Sequence, residues 1–564
     1  MHHNNPATME SSMSKPEPVS TTDVALPATL TEAWQRRVSE SPGSLCITYF
    51  DGTLTTAEVD SLSLALAAAL QARGVHPGDR VAVSLQNIPH FPIALLAIWH
   101  LGAIALPLNP MYRDRELHTV LASSGAVGLI CAPEAIGIAE AAAPETALAW
   151  VLSVDDRQFQ TENDPRVFPV REAADEQPGL TPEHAARLPF ALGTLTEELE
   201  AFAGSRPAPA SATAEDIAML SYTSGTTGPP KGAMATHRSL LAVGLNFVEW
   251  AQIGPEDRML ALAPLFHITG SVIICIGTLL SPGSLVFLNR PRPDVALEAF
   301  ARHAVTLAVA PITMYTALYE LPHATARDLL SVRQLFTGGA PVPPAKVASF
   351  ERRFGHYILN AYGLTESNAG IVGVPLGERA PVHKPTGTLS IGKPMAGVSL
   401  RVLDEAGNEV PAGSPGELEL SGEQLASGYW ENPAATATAF PDGRLLTGDV
   451  AIIDEAGWVY LVDRIKDQIN SSGYKVWPRE VEDALYEHPA VREAAVVGEP
   501  DDYRGERVVA YVSLSDGAAV TADELVAFAR ERLAAYKIPR RVEFVDELPK
   551  TLTGKIRRRD LRRG

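Results

Sequence analysis

The sequence predicts an α/β fold: a large N-terminal domain of two parallel-sheet α/β lobes plus a small β-subdomain, followed by a small α+β C-terminal domain. Three observations carry that prediction. Segments of helical period alternate with short β-rich runs over most of the 564 residues, the arrangement that builds parallel sheets covered by helices. From about residue 388 short strands punctuated by Gly and Pro take over (SIGKPMAGVSLRVLDEAGNEVPAGSPGELELSG), the texture of a small β-subdomain. After residue 463 the pattern changes again, to strand, turn, helix, two strands and a helix.

The elements follow in order. Residues 1–25 form a polar, disordered tail without the basic and then apolar stretches of a signal peptide, so export is not expected. The N-terminal domain is placed at 26–462. It opens with the Ala/Leu-rich helix 56–73, the strand RVAVSL at 80–85, an apolar helix and the strand AIALPL at 103–108. The apolar runs 92–108 and 268–288 are interrupted by His100, Pro107, Pro282 and Gly283, so they read as buried elements and no transmembrane segment is expected. Residues 154–214, rich in Pro, Ala, Glu and Asp, read as an irregular excursion with one or two helices between the lobes. The C-terminal domain, 463–564, carries the helix PREVEDALYEH, the strands AAVVGEP and RVVAYVSL, a helix at 521–535 and a basic tail.

Composition excludes several functions. Lys and Arg number 47 against 67 Asp and Glu, a net charge of −20, and 46% of residues are hydrophobic. The apolar share argues against disorder. The charge repels nucleic acid and anionic membranes unless a local basic patch overrides it, so a phosphate ligand must be met locally. Cys46, Cys131 and Cys275 are too scattered for a disulfide framework or a CxxC metal site and read as core residues of a cytoplasmic protein.

The most informative segment is Tyr222-Thr223-Ser224-Gly225-Thr226-Thr227-Gly228-Pro229-Pro230-Lys231-Gly232. It follows the apolar strand IAMLSY, and its glycines free backbone N–H groups to face a ligand beside hydroxyls and one ammonium, the groups that hold phosphate oxygens. It is not a Walker loop, because Gly232 stands after Lys231 where Ser or Thr is required.

YTSGTTGPPKG resembles the signature of the adenylate-forming superfamily, the family of acyl-CoA synthetases, firefly-type luciferases and peptide-synthetase adenylation domains. Further segments resemble that family's motifs in order across residues 30–560: APLFHITG (263–270), LFTGGAP (335–341), NAYGLTES (360–367), LLTGDVA (445–451), DRIKDQINSSGYKVWPREVE (463–482) and PKTLTGKIRRRDLR (549–562). The resemblance implies ATP, Mg²⁺ and coenzyme A as co-substrates or cofactors, a small-molecule carboxylic acid as substrate, and no nucleic-acid partner. A homodimer is compatible with it.

Carried onto this chain, the resemblance implies that Thr223, Ser224, Gly225, Thr226, Thr227, Gly228 and Lys231 hold phosphates. Gly338, Gly339, Ala340, Asn360, Tyr362 and Gly363 shape the adenine and acyl pocket, with Tyr362 offering a flat face. Thr365 meets the α-phosphate and Glu366 is the metal ligand, since a hard cation takes carboxylate oxygens. Asp449, with two acceptor oxygens, meets both ribose hydroxyls with Arg464 beside it. His267 positions the carboxylate and gates the pocket, Phe247 and Val248 contribute to the acyl site, Lys466 is the hinge and Gly473 lines the pantetheine path. Lys555, on a mobile C-terminal domain, bridges carboxylate and α-phosphate; read without the family, it belongs to a solvated basic run.

The implied reaction is formation of acyl-AMP with release of pyrophosphate, then transfer of the acyl group to the thiol of coenzyme A. A carrier protein in place of coenzyme A, and a nucleotide-binding sensor without catalysis, are the alternatives.

Overall fold

The computed structural model describes residues 27–168, 182–223, 229–471, 474–501, 504–551 and 555–562. The expected tail 1–25, the loop positions Ser224, Gly225, Thr226, Thr227 and Gly228, and Gly473 lie outside the described residues.

Two large sheets carry the N-terminal part. One has seven strands, ordered Ala191–Thr194, Trp150–Ser153, Gly128–Cys131, Arg80–Ser84, Ile104–Pro107, Ile217–Tyr222 and Gly232–Thr236. All neighbours in it are parallel except the last pair. The other has nine strands, with a parallel centre from Ile358–Leu364 through Gln334–Thr337, Leu307–Val309, Arg258–Ala261 and Ser284–Phe287 to Leu45–Tyr49. The central strands are buried along nearly their whole length, as strands covered on both faces must be. The apolar runs singled out above are the buried helix His90–His100 and, from Thr269 to Ile276, a buried π-helix. Residues 154–214 depart from expectation: besides two short helices they supply Ala191–Thr194, a parallel edge strand of the seven-stranded sheet.

The first helix, Leu30–Glu40, is tied to the nine-stranded sheet by a buried cation. The guanidinium of Arg37 donates to the carbonyl oxygens of Thr278 and Gly283, each at 2.8 Å, satisfying donors whose burial without partners would be costly.

The β-subdomain contains a four-stranded antiparallel meander, Ser399–Leu403, Gly416–Ser421, Leu445–Ile453 and Val459–Arg464. It is laced to the nine-stranded sheet at Gly392, whose carbonyl accepts from Val459 N–H at 2.9 Å, while Ile391 N–H donates to Val459 O at 2.9 Å. The chain passes through residues 465–468 to a five-stranded sheet that begins at Ile469. That sheet packs the helices Pro478–Tyr486 and Ala522–Arg530 over a core of its own, including Ile469, Val481, Leu485, Val496, Val512 and Leu525.

Gly392 sits at φ +107°, and a Cβ there would come within 1.9 Å of the Gly373 carbonyl carbon. Gly392→Ala is therefore expected to destabilise the chain by about 2–4 kcal/mol, read as a lower urea midpoint; an unchanged midpoint would show that the backbones at Gly392 and Gly373 do not approach this closely.

Candidate active site

The antiparallel pair Ile217–Tyr222 and Gly232–Thr236 brings the two ends of the Gly-rich segment together. Thr223 N–H donates to Lys231 O at 2.9 Å, and Lys231 N–H to Thr223 Oγ1 at 3.3 Å. A third stretch, Ser427–Trp430, lies alongside: Met234 N–H donates to Gly428 O and Trp430 N–H to Gly232 O. This places Tyr429 where the ammonium of Lys231 stands 4.9 Å from its ring centroid, a cation–π distance. The hydroxyl of Tyr429 donates to Glu366 Oε1 at 2.6 Å, and burial beside Glu366 raises its pKa. Tyr429 thus joins the end of the phosphate loop to the candidate metal ligand.

Thr365 and Glu366 lie in a single 3₁₀ turn, Thr365–Ser367, that follows the strand Ile358–Leu364. The strand is bulged after Tyr362, where a Cβ on Gly363 would meet the Ala369 carbonyl oxygen at 1.6 Å. Only glycine permits this crossing.

Tyr362 is 8% exposed and donates its hydroxyl to Asp449 Oδ2 at 2.6 Å. Arg464 Nε meets Asp449 Oδ1 at 2.9 Å, the two residues being directly paired between adjacent strands. Asp449 itself is 5% exposed, so its charge is held inside by one phenol and one guanidinium, as a buried carboxylate requires. One Asp449 oxygen thus accepts from Tyr362 and the other faces Arg464, the partner the sequence expects, and the remaining lone pairs are left for other donors.

These side chains border a cleft of about 290 Å³ that also includes Gly339, Ala340, Asn360, Gly363, Lys466 and Lys555. Asn360 is 2% exposed and donates to Ser390 O at 3.3 Å, so it braces the cleft wall. Gly338 lies behind it, its missing Cβ 2.8 Å from Ala361 O. Lys466 is exposed in the 3₁₀ turn Ile465–Asp467.

Lys555 comes from the far side of that turn. Its pKa is lowered to about 8, first by burial and then by the nearby Arg464. Asp449 pulls the other way, and Arg558 and Lys466 push it lower. His267 is lowered to about 4 by burial and by Lys555. Its Nδ1 accepts from Thr269 N–H at 3.3 Å, which leaves the proton of the neutral ring on Nε2. The cleft and the His267 region are thus electrostatically joined through Lys555. Phe247 is 1% exposed and packs edge-on to Phe336 with centroids 5.4 Å apart, while Trp250 lies 4.9 Å from Phe336; Val248 is half-buried.

Sequence reasoning missed Tyr429 and Arg558. The first shows only as an aromatic in SGYW, and the second only as one arginine of the basic tail. Arg558 is instead surrounded by Asp463, Asp467 and Glu482.

A family profile described as AMP-binding enzyme matches residues 34–430, and one described as AMP-binding enzyme C-terminal domain matches residues 480–555. A feruloyl-CoA synthase of Amycolatopsis sp is 37% identical, over 94% of this chain and 97% of its own. A long-chain-fatty-acid–CoA ligase of Bacillus subtilis (strain 168) is 34% identical, over 92% and 91%. ATP-bound MatB from Rhodopseudomonas palustris superposes with a TM-score of 0.82 at 30% identity, covering 95% of this chain and 98% of that one. An anthranilate CoA ligase in complex with anthranoyl-AMP superposes at 0.84 with 26% identity, covering 96% and 97%.

Competitive labelling with acetic anhydride across a pH series is expected to titrate Lys555 near pH 8, below ordinary surface lysines at about 10.4. An unshifted profile would place its amine in solvent rather than in the cleft.

Proposed function

The chain belongs to the AMP-binding enzyme family as an AMP-forming acid–thiol ligase of the acyl-CoA synthetase branch, and on that premise we propose how its cleft works and on which acids. In the first step a carboxylate oxygen attacks the α-phosphorus of ATP and the bond to pyrophosphate breaks. In the second the thiol of coenzyme A attacks the acyl carbonyl, loses its proton, and AMP leaves.

The observation that carries the reading is that Lys555, from the C-terminal part, lines the same cleft as Tyr362, Asp449 and Arg464. Two anions must meet there, so positive charge aimed at the oxygens that gain charge in the transition state lowers the barrier. Lys555 supplies it between carboxylate and α-phosphate. The Asp449 lone pairs left by Tyr362 and Arg464 take ribose hydroxyls, and the ring of Tyr362 offers its face to adenine. Thr223 and Lys231 end the phosphate loop, and Thr365 meets the α-phosphate. Neutral His267, with its proton on Nε2, donates toward the substrate carboxylate.

Glu366 would hold Mg²⁺. One of its oxygens is taken by Tyr429, and among the described residues no group of three or more His, Cys, Asp or Glu could hold a metal. A single carboxylate fits Mg²⁺, which takes most of its ligands from substrate phosphates and water; bound there, the cation would neutralise phosphate charge. Lys466 is the hinge about which the C-terminal part turns between the two steps, in a turn short enough for a few φ/ψ changes to absorb the motion.

For the acid, we propose an aryl or arylpropenoic acid rather than a long-chain fatty acid. Phe247, assigned to the acyl site, stands in a cluster of rings with Trp250 and Phe336, and a relative named feruloyl-CoA synthase stands at 37% identity. A cytoplasmic setting, where ATP and coenzyme A are available, suits the three buried free cysteines, and no helix among the described residues is long and apolar enough to cross a membrane.

Pyrophosphate release with hydroxycinnamate, benzoate and palmitate side by side is expected to favour the aryl acids; preference for palmitate would overturn the acyl assignment. Lys555→Ala should slow acyl-AMP formation about 10²–10³-fold and leave conversion of supplied acyl-AMP and coenzyme A nearly intact, whereas equal loss in both steps would remove its step-specific role.

The ammonium of Lys555 exists below its pKa, so kcat/KM for acyl-AMP formation should fall above pH about 8, by about tenfold per unit. Lys555→Arg should carry that limb beyond the accessible range.

A further inference from the structure

Resting on the reading above, we propose that Arg558 is the positioning residue of the acyl-AMP-forming step: it latches the segment bearing Lys555 across the hinge, so that the amine is held in the cleft. Its guanidinium makes a fork to Glu482, Nε to Oε1 at 2.9 Å and Nη2 to Oε2 at 2.6 Å. Nη1 reaches Asp463 Oδ1 at 2.7 Å and Asp467 Oδ2 at 3.5 Å. The side chains of Arg558, Asp463 and Glu482 are 13%, 3% and 7% exposed. Such a buried, bidentate arrangement is the geometry for which Arg, not Lys, is suited.

The two principal partners lie on opposite sides of Lys466. Asp463 ends the four-stranded meander, next to Arg464 and its partner Asp449. Glu482 sits on the helix Pro478–Tyr486 of the C-terminal part. The bond to Glu482 therefore travels with the C-terminal part, whereas the bond to Asp463 exists only while that part is docked with Lys555 in the cleft. Arg558 stands three residues after Lys555, so its fork holds the lysine-bearing segment close to the amine. Asp463 also accepts from two backbone donors: Arg464 N–H at 2.8 Å, on its own side of Lys466, and Arg479 N–H at 2.9 Å, on the helix Pro478–Tyr486. The first stays with Asp463 when the C-terminal part turns away, while the second leaves together with Arg558. Arg562 adds an exposed pair to Asp467 at 3.2 Å; exposed pairs contribute little, and the burial singles out Arg558.

The test is Arg558→Met, which keeps the stem and removes the fork, with Arg558→Lys as the conservative variant. Acid-dependent pyrophosphate release should fall about 10–100-fold in Arg558→Met, the cost of a misplaced reacting group, and recover in part in Arg558→Lys. Thioester formation from supplied acyl-AMP and coenzyme A should stay within about twofold, since the latch is open in that step. The alkaline limb of kcat/KM for the first step, set by Lys555 near pH 8, should move to higher pH, because the amine gains solvent and loses a neighbouring cation. A purely structural role would depress both half-reactions together and leave the limb in place; that result overturns the proposal. Because Arg558→Met strands Glu482 in the interior, Arg558→Met/Glu482→Gln removes both charges, and a folded double variant with wild-type pyrophosphate release also overturns it. A wild-type enzyme that releases no pyrophosphate with any acid refutes the proposed function itself, and the latch with it.

Discussion

Asp449 is the charge around which the site is built. A carboxylate 5% exposed needs polar partners, and these come from two different sheets: Tyr362 from the strand Ile358–Leu364 of the nine-stranded sheet, Arg464 from the neighbouring strand of the meander. The pairing obliges the β-subdomain to dock against the large α/β part in one register, and the Gly392 contact with Val459 reinforces it. Because Arg464 is the last residue of its strand and Lys466 follows two positions later, the same carboxylate also fixes where the proposed hinge begins. The wall of the cleft, the docking of the subdomain and the origin of the C-terminal part therefore depend on one buried ion.

Electrostatics then explains how a chain of charge −20 can receive a polyanion. Around Lys555 the ionic neighbours are Arg464, Arg558 and Lys466 against Asp449, an excess of positive charge in a partly desolvated cleft where it is poorly screened. Burial first, and these cations after it, hold the pKa of Lys555 down to about 8. Under the proposed function, an arriving triphosphate and carboxylate offset that excess. The site is thus complementary to charge that only its substrates bring.

How far the sequence revealed this site depends on what each residue bonds to. The Gly-rich segment was legible because a run such as TSGTTGPPKG cannot be a strand or helix core, and Lys231 stands out in it. Asp449, Glu366 and Lys555 were legible only inside ordered motifs, since each alone resembles a solvated charge. Tyr429 was not legible: its role comes from the pairing of Ser427–Trp430 with Gly232–Met234, a contact between segments nearly two hundred residues apart. Arg558 was not legible for the same reason. Its neighbours Arg557 and Arg559 are exposed, and nothing local distinguishes the one arginine whose three carboxylate partners lie about 75 to 95 positions away.

By itself the sequence determined the fold class and most of the order of helices and strands, because hydrophobic period, turn residues and backbone freedom act over a few positions. The tertiary structure alone decided that Tyr362 gives its hydroxyl to Asp449, that Tyr429 couples Lys231 to Glu366, and that the terminal lysine rests in the cleft beside Arg464. Those outcomes turn on which charges are buried together, and burial is a property of the folded chain: a carboxylate and a guanidinium become partners only when sheet packing excludes the water that would otherwise satisfy both.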